Sequence, residues 1–105
     1  MTITPGRLKI KCNSAILTRD CELFGKMSPF IEFKLGTQVK STDPHKKGGK
    51  TPNWQGECIE LEIYNEPDMQ IAIYDYEPSG KHDLVGNEIY FLDNIIKCAT
   101  KEEQI

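Results

Sequence analysis

The sequence of 105 residues predicts an all-β protein, an antiparallel sandwich or barrel, from three observations. Short segments alternate apolar and polar residues at the period of two that sends successive side chains to opposite faces of a strand. Glycine, proline and asparagine separate these segments, so that six short strands are identified. No segment before Asp93 has the periodicity of a helix, which argues against an α/β fold. A chain of this length is expected to form one domain around one core.

The first three predicted strands follow from alternation and from turn chemistry. In the first, Leu8, Ile10 and Cys12 share one face, which places Cys12 in the core. The next two strands form a hairpin around a tight turn at Gly36 and Thr37. The three segments are residues 7–13, 29–35 and 38–42, and a polar loop over 14–27 follows the first.

The last three predicted strands surround an acidic loop. The fifth strand ends by presenting Asp75 and then Glu77 on one side, and after a turn Asp83 returns to the same rim. Acidic side chains gathered on one loop repel one another, so a cation, neighbouring lysines or water must hold them. The three strands are residues 54–64, with a bulge predicted at Gly56, residues 69–76 and residues 86–92.

Domain boundaries and location follow from the ends of the chain. We expect an N-terminal lead over 1–6, the sandwich over 7–93 and a C-terminal tail over 94–105, with a short helix capped by Asp93 and Asn94. No apolar run is long enough to span a bilayer, and the N-terminus has no hydrophobic signal region. The expected location is therefore cytoplasmic, either at a membrane surface or bound to a large assembly.

Cysteine spacing and charge exclude several classes of function. The four cysteines have no metal-ligand spacing, which predicts reduced thiols and no zinc framework. The net charge of −3 and the lack of an aromatic stacking platform argue against nucleic-acid binding. Charge is nevertheless uneven: residues 34–50 are rich in lysine, and residues 57–93 are dominated by carboxylates. One face is therefore expected to be basic and another acidic.

Four short motifs occur in an order that resembles the C2 domain, the membrane-targeting module first described in protein kinase C. The likeness runs from about Leu8 to Leu92 and is similar in detail to the small single-domain C2 proteins of plants and protists. The motifs are Leu8-x-Ile10-x-Cys12-x-x-Ala15, the segment Phe24 to Phe30, the turn Gly49-Lys50-Thr51-Pro52-Asn53-Trp54, and Asp75-x-Glu77 followed by Asp83 and Val85-Gly86.

The resemblance implies a calcium site between the first and third loops, held in the family by five acidic side chains. The matching positions here are Glu22, Ser28, Asp75, Glu77 and Asp83. Ser28 stands where an aspartate commonly bridges the metal ions, and glutamate replaces aspartate at 22 and 77. Lys26, Lys81 and His82 would further oppose a cation. We therefore expect a degenerate site in which calcium is bound weakly or not at all.

The resemblance also implies contacts with a membrane. Phe24 and Met27 are the side chains expected to insert, and the lysines at 40, 46, 47 and 50 are expected to attract anionic lipid head groups. Simple solvation of these lysines is the alternative interpretation. The family closes an eight-stranded sandwich, whereas six strands are identified here. Two alternatives follow: either the C-terminal tail supplies the rest of the sandwich, or the last two strands are lacking and an edge is left for a partner to cover.

The function predicted from the sequence is a non-enzymatic C2-like module that docks another protein and has weak or lost calcium-dependent phospholipid binding. The alternative is a functional calcium-dependent membrane-targeting domain. An enzyme would need a nucleophile and a base, and the only candidates are Cys21 and His82, without an oxyanion hole or a pocket for a small-molecule substrate. His45 and His82 are otherwise interpreted as exposed loop residues.

Overall fold

A computed structural model of the chain describes residues 6–19, 22 and 25–92. Within these residues every strand pairing is antiparallel, which confirms the predicted all-β fold. The strands are β1 (Gly6–Ser14), β2 (Pro29–Leu35), β3 (Gln38–Ser41), β4 (Asn53–Ile63), β5 (Asp68–Asp75) and β6 (Asp83–Phe91). The predicted lead, tail and short helix lie mostly or wholly outside the described residues, as do Cys21 and Cys98.

The strands form two sheets. One sheet pairs β1 with β4, and the other has the order β3-β2-β5-β6. The hairpin expected at Gly36 is present, because Leu35 of β2 pairs with Gln38 of β3. A second hairpin joins β5 to β6, and its last pair sets Asp75 opposite Asp83. The acidic loop therefore connects two neighbouring strands at one end of the larger sheet.

The core lies between the sheets and follows from the alternation of each strand. Leu8 and Ile10 of β1 pair with Leu61 and Ile59 of β4, and all four side chains are buried. The larger sheet contributes the buried residues Ile31, Phe33, Leu35 and Met69. Burying each such side chain stabilises the fold by about 1.5–3 kcal/mol. Cys12 is buried beside them, and this burial is the main reason that its pKa is raised to about 11.

The bulge predicted in β4 is present at Gly56. The register between β1 and β4 shifts between Cys12 and Ser14, and Gln55 and Gly56 both have positive φ, 57° and 78°. Next to the bulge, the indole N–H of Trp54 donates a hydrogen bond of 3.1 Å to the carbonyl of Pro29 on β2. Trp54 therefore packs in the core, and its hydrogen bond connects one sheet to the other.

Three loops meet at one end of the sandwich and hold one another in place. The backbone N–H of His45, in the β3–β4 loop, donates to the carbonyl of Pro29 at 2.9 Å, and the N–H of Gly49 donates to Met27 at 3.0 Å. The N–H of Tyr76, in the β5–β6 loop, donates to the carbonyl of Ser28 at 3.1 Å. The β1–β2 loop thus lies between the other two and is bonded to both.

Strand β6 is exposed along most of its length. Its large apolar side chains include Ile89, which is 57% exposed, and Phe91, which is 60% exposed. Over the described residues, β6 has β5 as its one strand neighbour, and β1 has β4. No helix among the described residues is both long enough and apolar enough to cross a membrane.

Candidate metal centre

Three carboxylates from two loops converge at the loop end of the sandwich. Oxygen atoms of Glu22, Asp75 and Glu77 all lie within 4.8 Å of one another. Asp75 is the last residue of β5, and Glu77 follows it in the β5–β6 loop, so period-two alternation sends both side chains to the same side. The β1–β2 loop brings Glu22 across to them. Three of the positions predicted from the sequence are therefore brought together.

Asp75 is the buried member of this group. Its side chain is 0% exposed, and its Oδ1 accepts a hydrogen bond of 2.8 Å from the backbone N–H of Ser28. Its Oδ2 is also buried but accepts no hydrogen bond from the described residues. A buried carboxylate oxygen without a donor is costly, because it has lost its water and gained nothing in return. Asp75, one of the three clustered carboxylates, therefore has a buried acceptor that lacks a hydrogen-bond donor among those residues.

The pKa of Glu22 reflects the close approach of these carboxylates. The pKa of Glu22 is raised, chiefly by hydrogen bonding with the Asp75 carboxylate and by the charge of Asp75. Desolvation and the charges of Glu77 and Asp83 raise it further. Two deprotonated carboxylates have no hydrogen to share and repel each other. The contact between Asp75 and Glu22 therefore needs either a proton on one of them or a bound cation.

The β5–β6 loop holds Glu77 by its backbone. The Nδ1 atom of His82 accepts a hydrogen bond of 2.9 Å from the N–H of Glu77, and the carbonyl of Glu77 accepts one of 2.9 Å from Gly80. His82 is half-buried, which corrects the interpretation of this residue as an exposed loop residue. His45 is likewise half-buried, and its Nδ1 accepts the N–H of Asn53 at 2.9 Å. The sequence offered no signal for either contact, because loops lack periodicity.

Asp83 and Ser28 are both near the three carboxylates, but they contribute differently to the site. Asp83 is exposed on β6 opposite Asp75 and is not part of the group within 4.8 Å, although its charge contributes to the raised pKa of Glu22. The hydroxyl of Ser28 accepts the backbone N–H of Lys47 at 3.1 Å. Ser28 therefore connects the β3–β4 loop to Asp75 and contributes no carboxylate.

The side chains expected at a membrane have mixed positions. Lys46, Lys47 and Lys50 are exposed on the β3–β4 loop, beside the acid cluster. Lys40 instead belongs to β3, where it pairs with Phe33, so it is not part of that loop. Met27 is 0% exposed, which corrects its expected role as an inserting side chain. Phe24 lies outside the described residues.

The oxygen ligands of this cluster fit a hard divalent cation. Calcium takes about six to eight oxygen ligands and favours carboxylates, so Glu22, Asp75 and Glu77 would supply part of its coordination shell. A bound cation would give the orphaned Oδ2 of Asp75 a partner and would remove the need for a proton between Asp75 and Glu22. The residues present therefore fit a calcium ion, with open positions left for water or for an anionic group.

An antiparallel sandwich with acidic loops at one end defines a class of β-sandwich binding modules, and comparison with known proteins identifies the family. The C2 domain family matches the chain over residues 6–103, so the chain belongs to it. Synaptotagmin-2 of Arabidopsis thaliana is 30% identical over 95 residues, covering 86% of this chain and 17% of that protein. The chain thus spans about a sixth of its curated relative.

Solved structures agree on the fold. A C2 domain-containing protein from a putative elicitor-responsive gene superposes with a TM-score of 0.72 at 21% identity, covering 90% of this chain and 70% of that one. A calcium-bound structure of the paired C2 domains of Extended-Synaptotagmin 2 superposes with a TM-score of 0.75 at 23% identity, covering 92% of this chain and 38% of that one. C2 domains are in general non-catalytic binding modules for membranes and proteins, and they commonly bind calcium.

Proposed function

We propose that this chain is a non-enzymatic C2 module that binds calcium weakly and presents its loop end to anionic phospholipid. Glu22, Asp75 and Glu77 are the proposed ligands, with Asp83 contributing negative charge nearby. The observation that carries this proposal is the buried Asp75 carboxylate, whose Oδ2 accepts no hydrogen bond from the described residues and which has oxygen atoms of Glu22 and Glu77 within 4.8 Å.

Weak binding follows from the ligand count. Only three carboxylates converge among the described residues, and the hydroxyl of Ser28 is engaged with the β3–β4 loop. Calcium affinity depends on the number of charged ligands that offset dehydration of the ion, so the loss of one carboxylate places the proposed dissociation constant at about 0.1 mM or above. The description of Extended-Synaptotagmin 2 as calcium bound supports the choice of ion.

Membrane attraction is proposed to come from the lysines beside the cluster. Lys46, Lys47 and Lys50 are exposed, and each basic residue near an anionic surface contributes about 1 kcal/mol. Without a cation the acid cluster repels anionic lipid, whereas a bound calcium ion would offset two of its negative charges and let the lysines dominate the attraction. This arrangement supports a cytoplasmic protein that binds a membrane surface peripherally, as predicted from the sequence.

Docking of another protein, with a silent calcium site, is the second candidate function. It is favoured by the serine at position 28 and by the apolar side chains that β6 exposes, Ile89 and Phe91. Exposed apolar residues along an edge strand are typical of surfaces that contact other chains.

Calcium titration during thermal unfolding tests the proposed function. A ligand that binds only the folded state stabilises it by RT ln(1 + [L]/Kd), so 1 mM calcium at a dissociation constant of about 0.1 mM adds about 1.4 kcal/mol. For a domain of this size we expect the melting temperature to rise by about 6 °C. Magnesium at the same concentration is the control and should give a smaller shift, because it demands tighter octahedral geometry.

Sedimentation with anionic vesicles then separates the two candidates. If calcium raises both the melting temperature and the fraction of protein in the vesicle pellet, the proposed function is supported. A melting temperature that is unchanged up to about 10 mM calcium, together with no sedimentation, would leave protein docking as the better account.

A further inference from the structure

We propose that His82 is a positioning residue for the calcium site, whose imidazole Nδ1 fixes the Glu77 backbone so that the Glu77 carboxylate faces Asp75. This inference rests on the proposed function, because it assigns a role within the same site. The C2 motifs found in this chain assign no function to position 82. The inference comes from the contacts of the His82 ring.

The hydrogen bond of His82 closes the acidic loop. The N–H of Glu77 donates to Nδ1 at 2.9 Å across five residues, in a partly buried position. Because Nδ1 accepts a hydrogen bond from an N–H group, it carries no proton, so the ring is neutral with its proton on Nε2. The residue next to Asp83 therefore supplies an acceptor without adding a positive charge against the cation.

The His82 ring is itself held by aromatic neighbours. It meets Phe30 edge to face, with ring centroids 4.9 Å apart and planes at 82°, and it stacks on Tyr76 at 5.1 Å and 27°. Phe30 is buried on β2 and also stacks on Tyr74 of β5 at 5.7 Å. The ring is thus anchored to two strands of the larger sheet, and rigid elements position a ligand more accurately than a free loop does.

Positioning is needed here because the ligands repel one another. Before a cation binds, the negative charge of the neighbouring carboxylates, Asp75 above all, repels Glu77, and an unrestrained loop would relax outward. Binding would then have to restore the loop geometry, which lowers the apparent affinity. A neutral acceptor on an anchored ring holds the loop closed without weakening the field of the site.

Two substitutions distinguish the role of the Nδ1 acceptor of His82 from the role of its aromatic ring. His82→Phe keeps an aromatic ring against Phe30 and Tyr76 but removes the acceptor. His82→Asn places an amide oxygen near the position of Nδ1 but removes the ring. If His82 positions Glu77, calorimetric titration with calcium should show roughly tenfold weaker binding for H82F and a change below about threefold for H82N. Without calcium, the melting temperature should fall more for H82N than for H82F, because ring packing chiefly supports the fold.

The control is His45→Phe, which removes the same kind of bond from the β3–β4 loop. Its calcium affinity should stay within about twofold of wild type, because His45 bonds to Asn53 and not to a proposed ligand. Hydrogen exchange of the Glu77 amide gives a readout without calcium: we expect protection in wild type and H82N, and faster exchange in H82F.

The outcomes distinguish this inference from the proposed function. If wild type binds calcium and H82F binds it equally well, the inference is wrong and the proposed function stands. Equal losses of affinity in H82F and H82N, in proportion to lost thermal stability, would mean that His82 has only a packing role and would also overturn it. If wild type binds no calcium, both fail together.

Discussion

At the residue scale, Asp75 is unusual because it is a buried carboxylate with one oxygen that accepts no hydrogen bond from the described residues. Its Oδ1 is satisfied by the N–H of Ser28, but its buried Oδ2 accepts no hydrogen bond from the described residues, and the carboxylates of Glu22 and Glu77 lie close by. Replacing Asp75 with asparagine keeps an acceptor for Ser28 and gives Glu22 and Glu77 an N–H₂ donor. We predict that D75N raises the calcium-free unfolding free energy by about 1 kcal/mol, because a buried repulsion becomes a hydrogen bond. The same variant should lose the stabilisation by calcium.

Chemical denaturation with and without calcium measures both effects of D75N. Asp68→Asn is the matched control, since Asp68 lies at the opposite end of β5. It should change the calcium-free stability by less than about 0.5 kcal/mol and leave the calcium effect intact. A D75N protein that is less stable than wild type without calcium would contradict the view that Oδ2 of Asp75 lacks a hydrogen-bond donor among the described residues.

At the element scale, the bulge in β4 depends on backbone freedom at Gly56. Its φ of 78° lies in the left-handed region, and a Cβ there would approach Cε of Lys11 to 2.8 Å. The lysine end can move aside, so the main cost of Gly56→Ala is the backbone conformation, about 1–2 kcal/mol. We predict that G56A lowers the urea midpoint by a corresponding amount with an unchanged m-value.

Gly86→Ala is the control for the bulge prediction. Gly86 lies within β6, and a Cβ built there has nothing within 4 Å. Its φ is outside the left-handed region, so G86A should be within about 0.5 kcal/mol of wild type or slightly more stable. Equal losses in both variants would show that the conformation of Gly56 is not what the bulge requires.

The elements also show how far the sequence was informative. Alternation predicted the inward faces of β1, β2, β4 and β5, because one face of each of these strands enters the core and the period of two is fixed by the backbone. It predicted no buried face for β3 or β6, and neither strand has a buried residue. The same reasoning placed Asp75 and Glu77 on one side. It failed where the backbone leaves the strands: Met27 is buried, and His82 bonds to Glu77. Side-chain direction in loops depends on contacts between distant segments, which a local pattern does not contain.

At the scale of the whole molecule, the loop end joins an acidic centre to a basic loop. Ser28 links them directly: its N–H donates to Asp75, and its hydroxyl accepts the N–H of Lys47. The net charge of −3 is therefore a poor guide to the field at this end, since lysines and carboxylates meet there within one bonded unit. A calcium ion would add two positive charges to a surface whose lysines already face solvent.

The double variant Lys46→Gln/Lys47→Gln tests whether this local field drives membrane binding. Removing two lysines near an anionic surface should cost about 2 kcal/mol, which is roughly a thirtyfold weaker partition onto anionic vesicles in calcium. Calcium affinity without vesicles should be unchanged or slightly higher, because two repelling charges are gone. The charge-matched control is Lys9→Gln/Lys11→Gln, on the exposed face of β1. If the control variant weakens vesicle binding equally, net charge governs the interaction and the loop end has no special role. If only the loop variant weakens vesicle binding, the membrane is contacted where the carboxylates converge.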